Sequence, residues 1–302
     1  MTGPKLEHGH PGKRRPEGPR VRAAWLVMVG LVVAALATSS DLRRSDRIDD
    51  TRAWASPTLT CFTGYDESGR CVAWSIAGGV HSFLVPGLLA ALIVGAGGTL
   101  FGVLQGHGAQ GTRRLSRGVM GMLEALPRLV LLVLAFSLSG YSMTMVGIAL
   151  GLLGMPALAS EVAMRFDQLE DTDYMASTRA HGLGMGRIIL YHGLLLSCSG
   201  DIVRRMVLTF GQMMVADTTL TYVLGKNLSG ATMSWGYQLH RSLDCLYDTL
   251  WALEDFLNRG STAIPWYQGW CQFLSIMLAV LAVLWATLVL GETAAQRMER
   301  ST

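Results

Sequence analysis

Six continuous apolar blocks constrain this chain more than any other feature. They run roughly Val21–Thr38, Ser82–Leu104, Leu123–Ser139, Tyr141–Met164, Met206–Leu224 and Trp270–Leu290. Each is near the roughly 17–25 residues that a helix needs to cross the hydrocarbon core of a bilayer. A membrane β-barrel would instead show strands of about ten residues with alternating polarity. The blocks are continuous, so the expected fold is an all-α polytopic membrane protein with about six transmembrane helices. Composition points the same way. Only 16% of the 302 residues are charged and 50% are hydrophobic, whereas soluble domains carry about 25% charged residues. A net charge of +3 on such a chain gives no reason to expect nucleic-acid binding and is better read as setting topology.

The first block follows Lys13, Arg14, Arg15, Arg20 and Arg22. Ala35-Leu36-Ala37 within it is similar to a signal-peptidase site, so a cleaved signal is one reading. An uncleaved span is preferred because the later blocks form a membrane-embedded body. The preceding Met1–Arg22 is rich in Pro, Gly and Arg and is expected to be disordered. His8 and His10 lie in that tail and are read as solvated, so no metal site is expected.

Cations set the orientation. With the N-terminus inside, Arg113, Arg114 and Arg117, then Arg165, Arg179, Arg187, Arg204 and Arg205, then Arg297 and Arg300 all face the cytoplasm, as the positive-inside rule requires. Arg43, Arg44, Arg47 and Arg52 oppose that assignment, but Asp41, Asp46, Asp49 and Asp50 are interleaved with them. Two long segments then lie outside, 39–81 and 225–269. The first contains Cys61 and Cys71 on either side of a short Gly-containing loop. Disulfides persist in that compartment, so the two either pair locally or remain two small unpaired residues. Cys245 and Cys271, in or beside the second, leave pairing open.

Between the fourth and fifth blocks lies a polar stretch, Asp171–Leu196. Asp171, Thr172 and Asp173 offer helix N-caps and negative charge. Tyr174–His181 contains no Gly or Pro and allows about two helical turns. Tyr174, Thr178 and His181 share one face. Gly182, Gly184 and Gly186 then break the helix, and Arg187–Leu196 resumes as an apolar one. A compact helical knob at the membrane face suits insertion into a groove on a soluble partner. An ordinary helical loop is the alternative.

This stretch resembles the coupling loop of binding-protein-dependent ABC transporter permeases. Tyr174 to Gly182 align without gaps with the family's Tyr-Val-Glu-Ala-Ala-Arg-Ala-Leu-Gly, and Arg187-Ile188-Ile189-Leu190 and His192 with its Arg-Ile-Ile-Leu and His. Gly98–Gly106 looks like the Gly-rich end of the family's second span, and Ala125-Leu126-Pro127 like the entry to its third. Asp217–Tyr222 looks like the exit of its fifth, and Ser234-Trp235-Gly236 matches a motif in the following exterior loop. Order and spacing point to the C-type subunit of the dipeptide/oligopeptide/nickel branch. The departures are Ala176 for the family's acidic residue, Ser177 and Thr178 for its alanines, and Leu195 for its downstream Pro.

The resemblance implies a permease subunit of an ATP-driven importer in the bacterial inner membrane, carrying peptides or a similar small solute. It would be no enzyme itself. The implied layout is a cytoplasmic tail (1–22), a first span (23–38), an exterior segment (39–81) and a core (82–290), with coupling loop 165–205, exterior loop 225–269 and a cytoplasmic tail (291–302). Implied partners are a second permease subunit, two ABC ATPase subunits, an extracytoplasmic solute-binding protein and membrane lipid. ATP and Mg would sit on the ATPase, since this chain has no phosphate-binding Gly-x-x-x-x-Gly-Lys-Ser/Thr loop. Tyr174, Met175, Ala176, Ser177, Thr178, Arg179, Gly182, Arg187 and His192 would contact the ATPase. Asp217 and Tyr222 are candidates for the translocation path, Asp217 because charges at membrane depth are costly and often functional. Glu161 has Arg165 one turn on as a candidate i, i+4 partner. Two other readings remain: a transport-dead structural subunit, suggested by the eroded loop, and a membrane hydrolase built on His192, Ser197, Ser199 and Asp201.

Overall fold

The computed structural model describes residues 18–39, 49–53, 55, 57–59, 61, 63–66, 68–170, 198–224, 234–259 and 266–301. Among these the regular structure is helical. In chain order the helices are α1 (Pro19–Ser39), α2 (Val72–Ile93), α3 (Thr99–His107), α4 (Gln110–Ala125), α5 (Arg128–Leu138), α6 (Met143–Glu170), α7 (Ser199–Leu224), α8 (Trp235–Arg259) and α9 (Trp266–Ser301). A π-helical turn, Val94–Gly98, joins α2 to α3 without a break. Three helical stretches are long and apolar enough to cross a membrane: Val72–His107, Met143–Gln168 and Trp270–Ala294. The bent pair α4–α5 makes up to four among the described residues. The first and fifth expected blocks are also helical, as α1 and α7.

The third block is not the single helix its hydropathy suggests. It is split between α4 and α5, which meet at 81°. Pro127 has no N–H to give the ladder, and its ring forces the preceding residue out of helical geometry. Leu126 accordingly sits at φ −80°, ψ 134°. The second block also changes: its helix begins at Val72 rather than Ser82 and continues to His107.

Helix directions follow from facing glycines. A Cβ on Gly98 would fall 2.8 Å from the Leu158 Cβ, one on Gly102 2.6 Å from the Val162 Cβ, and one on Gly106 2.8 Å from the Phe166 Cβ. Gly147 faces the Pro86 carbonyl oxygen at 2.6 Å and Gly154 the Val94 side chain at 2.6 Å. Numbers rise together on both sides, so α2–α3 and α6 run parallel. Gly87 faces Phe210 and Gly95 faces Met206, so α7 is antiparallel to α2. Gly211 on Thr287 and Gly291 on Val207 make α9 antiparallel to α7.

The segment between α1 and α2 is tied down at one end. Cys61 and Cys71 form a disulfide with Cα atoms 5.8 Å apart. Asp66 Oδ1 accepts from the Ser68 and Arg70 amides, and the Arg241 guanidinium of α8 donates to Ser68 Oγ at 2.9 Å. Gly69, at φ +68°, lies where a Cβ would meet the Asp49 carbonyl oxygen at 1.9 Å. Cys198, Cys245 and Cys271 are in no disulfide. Within 225–269, drawn from hydropathy as a segment between spans, lies α8, a 25-residue amphipathic helix.

Two predictions follow from this packing. Gly102→Leu should destabilise the protein by about 1–3 kcal/mol through overpacking. Gly118→Ala, where a Cβ meets nothing within 4 Å, should stabilise by about 0.5–1 kcal/mol; thermal unfolding in detergent reads both. Burial holds the Asp66 carboxyl above its ordinary value despite its two backbone amides and the nearby Arg241 and Arg70. A raised carboxylate contributes most below its unfolded pKa and loses that contribution as pH rises through the folded one. Asp66→Asn keeps an acceptor and removes the charge. Its melting temperature should therefore gain on the parent as pH is raised from about 4, and match it at lower pH.

Candidate functional site

The coupling candidates Tyr174, Met175, Ala176, Ser177, Thr178, Arg179, Gly182, Arg187 and His192 all lie outside the described residues, which resume at Cys198. The two helices that carry this segment are described. Where α6 ends and α7 begins, two ion pairs cross between them. Arg165 Nε donates to Asp201 Oδ2 at 2.9 Å, and one turn away the Arg205 guanidinium pairs with Glu161. The side chains are 15–41% exposed, between the exposed and buried regimes. Residue numbers fall on one side as they rise on the other, matching the antiparallel arrangement inferred from the glycines. Sequence reasoning placed Arg165 beside Glu161 along one helix. The structure instead gives each a partner on α7, because all four side chains sit on the seam between the helices.

At the other end of α7, Asp217 is fully buried. Its Oδ2 lies 2.8 Å from Ser82 Oγ on α2, which is also 2.8 Å from the Gly79 carbonyl oxygen. Asp217 Oδ1 has no hydrogen-bond partner among the described residues. Thr221 Oγ1 donates to the Asp217 carbonyl at 2.6 Å. Directly above, Trp235 packs edge-on to Phe83 with centroids 5.0 Å apart and donates from Nε1 to the Ile76 carbonyl at 2.7 Å. A Cβ on Gly236 would stand 2.0 Å from the Thr218 carbonyl oxygen. The start of α8 is thus seated on α7 through a residue that only Gly can occupy.

Tyr222 points elsewhere. Its ring meets His240 of α8 edge-on at 5.4 Å, and His240 Nε2 is 3.7 Å from Asp244 Oδ2. Five residues along a helix is a rotation of about 140°, so Asp217 and Tyr222 occupy different faces. In this conformation the Asp217 side chain is enclosed, and Tyr222 lies on another face. Among the described residues, no group of three or more metal-ligating side chains gathers. Ser82 and Arg205 are the residues that the sequence reading missed. Both are ordinary-looking in their own helices, and only long-range packing pairs them.

No family model matches the chain. It is 26% identical over 195 residues to the dipeptide transport system permease protein DppC of Bacillus subtilis (strain 168), covering 65% of this chain and 60% of that protein. A protein of the same name from Alkalihalophilus pseudofirmus (strain ATCC BAA-2126 / JCM 17055 / OF4) is 23% identical over 238 residues, covering 76% and 77%. The chain is a relative of the DppC-type ABC peptide permeases. A further DppC-type relative is the di/tripeptide transport system permease protein DppC of Pseudomonas aeruginosa (strain UCBPP-PA14), 25% identical over 191 residues, or 63% of this chain and 62% of that protein. The chain thus spans about three fifths of the length of two of these DppC-type permeases.

The ion pairs generate a charge-swap prediction. Arg205→Glu should lower stability by about 1–3 kcal/mol, between the values for exposed and buried pairs. The double variant Glu161→Arg/Arg205→Glu should recover most of that loss. Thermal unfolding of the two variants beside the parent gives the comparison.

Proposed function

We propose that the chain is a transmembrane permease subunit of an ATP-driven importer in the bacterial inner membrane, carrying peptides or a similar small solute. The observation that carries this reading is the likeness to the dipeptide permeases. The ion-paired ends of α6 and α7 support it, because they brace the two helices that hold the segment resembling a coupling loop. On this reading the chain catalyses no reaction itself. It binds no cofactor, and ATP and Mg sit on a partner ATPase. The other partners are a second permease subunit and an extracytoplasmic solute-binding protein, which selects the cargo. Both termini are cytoplasmic. Tyr174 to Gly182, with Arg187 and His192, transmit the ATPase movement, and α6 and α7 rock with them as rigid bodies. Asp217 and Tyr222 flank the route at its outer end, opening in a conformation other than the closed one.

Purification of the tagged chain from its native membrane tests the assignment. An ATPase, a second permease and a binding protein should co-purify, and the reconstituted complex should take up peptide only with ATP. A chain that purifies alone and supports no ATP-dependent uptake sinks the reading. Within an active complex, Gly182→Trp should abolish uptake while leaving membrane insertion intact. Unchanged uptake and ATPase binding in that variant would overturn the role given to the turn.

A further inference from the structure

The disulfide-bridged loop, the start of α2, α8 and α9 close around a small cavity of about 40 Å³. Among the residues lining it are Asp66 and Arg70 of the loop, Tyr237, Arg241 and Ser242 of α8, and Gln272 of α9. That volume holds about three waters. Gln272 and Ser242 are only 6% and 2% exposed. Asp66, Arg70, Tyr237 and Arg241 are half-buried. The cavity is therefore deep at α9 and reachable from solvent at the loop.

The hydrogen bonds around it leave acceptors on one side and donors on the other. Both hydrogen bonds of Asp66 among the described residues end on Oδ1, from the Ser68 and Arg70 amides, so Oδ2 is left to accept. Gln272 donates from Nε2 to the Tyr65 carbonyl at 3.4 Å, which leaves its amide oxygen for the cavity. Ser242 Oγ donates to the Leu239 carbonyl at 2.8 Å and keeps its lone pairs. Three acceptors match the three donors of a primary ammonium. Burial raises the Asp66 carboxyl, and an ammonium at Oδ2 would offset that cost. Opposite, Arg241 gives one N–H to Ser68 Oγ at 2.9 Å and one to the Tyr237 hydroxyl oxygen at 3.2 Å. A guanidinium carries five such donors, and the Tyr237 hydrogen points away from the arginine it accepts from. Arg70 supplies a second cation. Guanidinium and carboxylate match in charge and in geometry.

An anion alone would meet Asp66, and a cation alone would meet Arg70 and Arg241. A compact zwitterion answers both. We propose that this cavity binds the head group of a small free α-amino acid, with its ammonium on Asp66, Ser242 and Gln272 and its carboxylate on Arg70, Arg241 and Tyr237. A ligand held there ties the loop to α8 and α9, so it stabilises the folded chain in proportion to its occupancy. Nothing in this site requires the partners of a transporter.

Calorimetric titration of the purified full chain in nanodiscs, at neutral pH, tests this with glycine, acetate, methylammonium and glycylglycine. Glycine should bind one site per chain. Acetate and methylammonium each present one end only, and glycylglycine holds its charges too far apart for the cavity. Each should bind about tenfold or more weakly than glycine. Asp66→Asn and Ser242→Ala should each weaken glycine by about 10- to 100-fold, with thermal unfolding to show that both variants are folded. Three results overturn the proposal. One is no heat with glycine at millimolar concentration. Another is acetate, methylammonium or glycylglycine matching glycine, which marks an anion site, a cation site or a larger ligand. The last is glycine affinity unchanged in both folded variants, which puts the binding elsewhere.

Discussion

The close approach of α2–α3 to α6 through facing glycines governs the positions of the other helices. In a bilayer, apolar side chains gain little by leaving lipid for one another, so association depends on fine packing at small residues. Gly98, Gly102 and Gly106 recur once per turn and take the β-carbons of Leu158, Val162 and Phe166. Gly147, Gly151 and Gly154 return the same accommodation to the backbone and side chains of α2 and the π turn. Because the two partners run parallel, the chain between them has to travel the whole way back. That return is α4 and α5, and α5 alone, at 11 residues, reaches only about 16 Å. The bend at Pro127 and the sharp turn after α5 are consequences. At that turn Gly140 and Tyr141 both take left-handed backbone, at φ 65° and 69°. The Tyr141 amide closes it on the Phe136 carbonyl at 2.9 Å.

Helix α7 inherits its place from that pair and carries ionisable side chains toward its two ends. Near its start Asp201 and Arg205 are matched with α6. Near its finish Asp217 is matched with Ser82 of α2. Between them Phe210, Met213 and Met214 are buried and apolar. Charges in such surroundings persist where another group answers them, and here each answer comes from a helix other than α7, two from α6 and one from α2.

The helical blocks were legible because hydropathy in runs is a local property. The break at Pro127 was legible in kind, since a proline dictates the residue before it, although the third block was drawn straight through it. The segment between Cys61 and Cys71 could be read as either a bridge or two thiols, and the folded loop brings the sulfurs together. Helix α8 went unread because its mean polarity resembles that of a loop. A signal was present: Trp235, Leu239, Ser242 and Leu246 recur at helical spacing, and Trp235 and Ser242 are buried. The candidate partner of Glu161 on its own helix gave way to one on α7, because a rule about one helix says nothing about a neighbouring one. Its arginine lies 44 residues away, and Ser82 lies 135 residues from Asp217.

These connections make α7 the element that joins the two ends of the molecule. At the Asp217 end, Trp235 links α8 to the Ile76 carbonyl and the Phe83 ring of α2. The next residue, Gly236, leaves α8 no room to approach α7 at Thr218 and Thr221. The disulfide-bridged loop is fastened to α8 by Arg241 on Ser68 and to α9 by Gln272 on the Tyr65 carbonyl. A displacement of α8 toward the bundle therefore has no soft contact to absorb it and acts on the turn of α7 that holds Asp217. At the opposite end, Asp201 and Arg205 tie α7 to α6 beside the segment that resembles a coupling loop. Close-packed interiors shift between discrete arrangements rather than deforming smoothly. A rod held this way at both ends moves as a unit or not at all. On the proposed reading, that is the mechanical requirement for relating events on the two faces of the membrane.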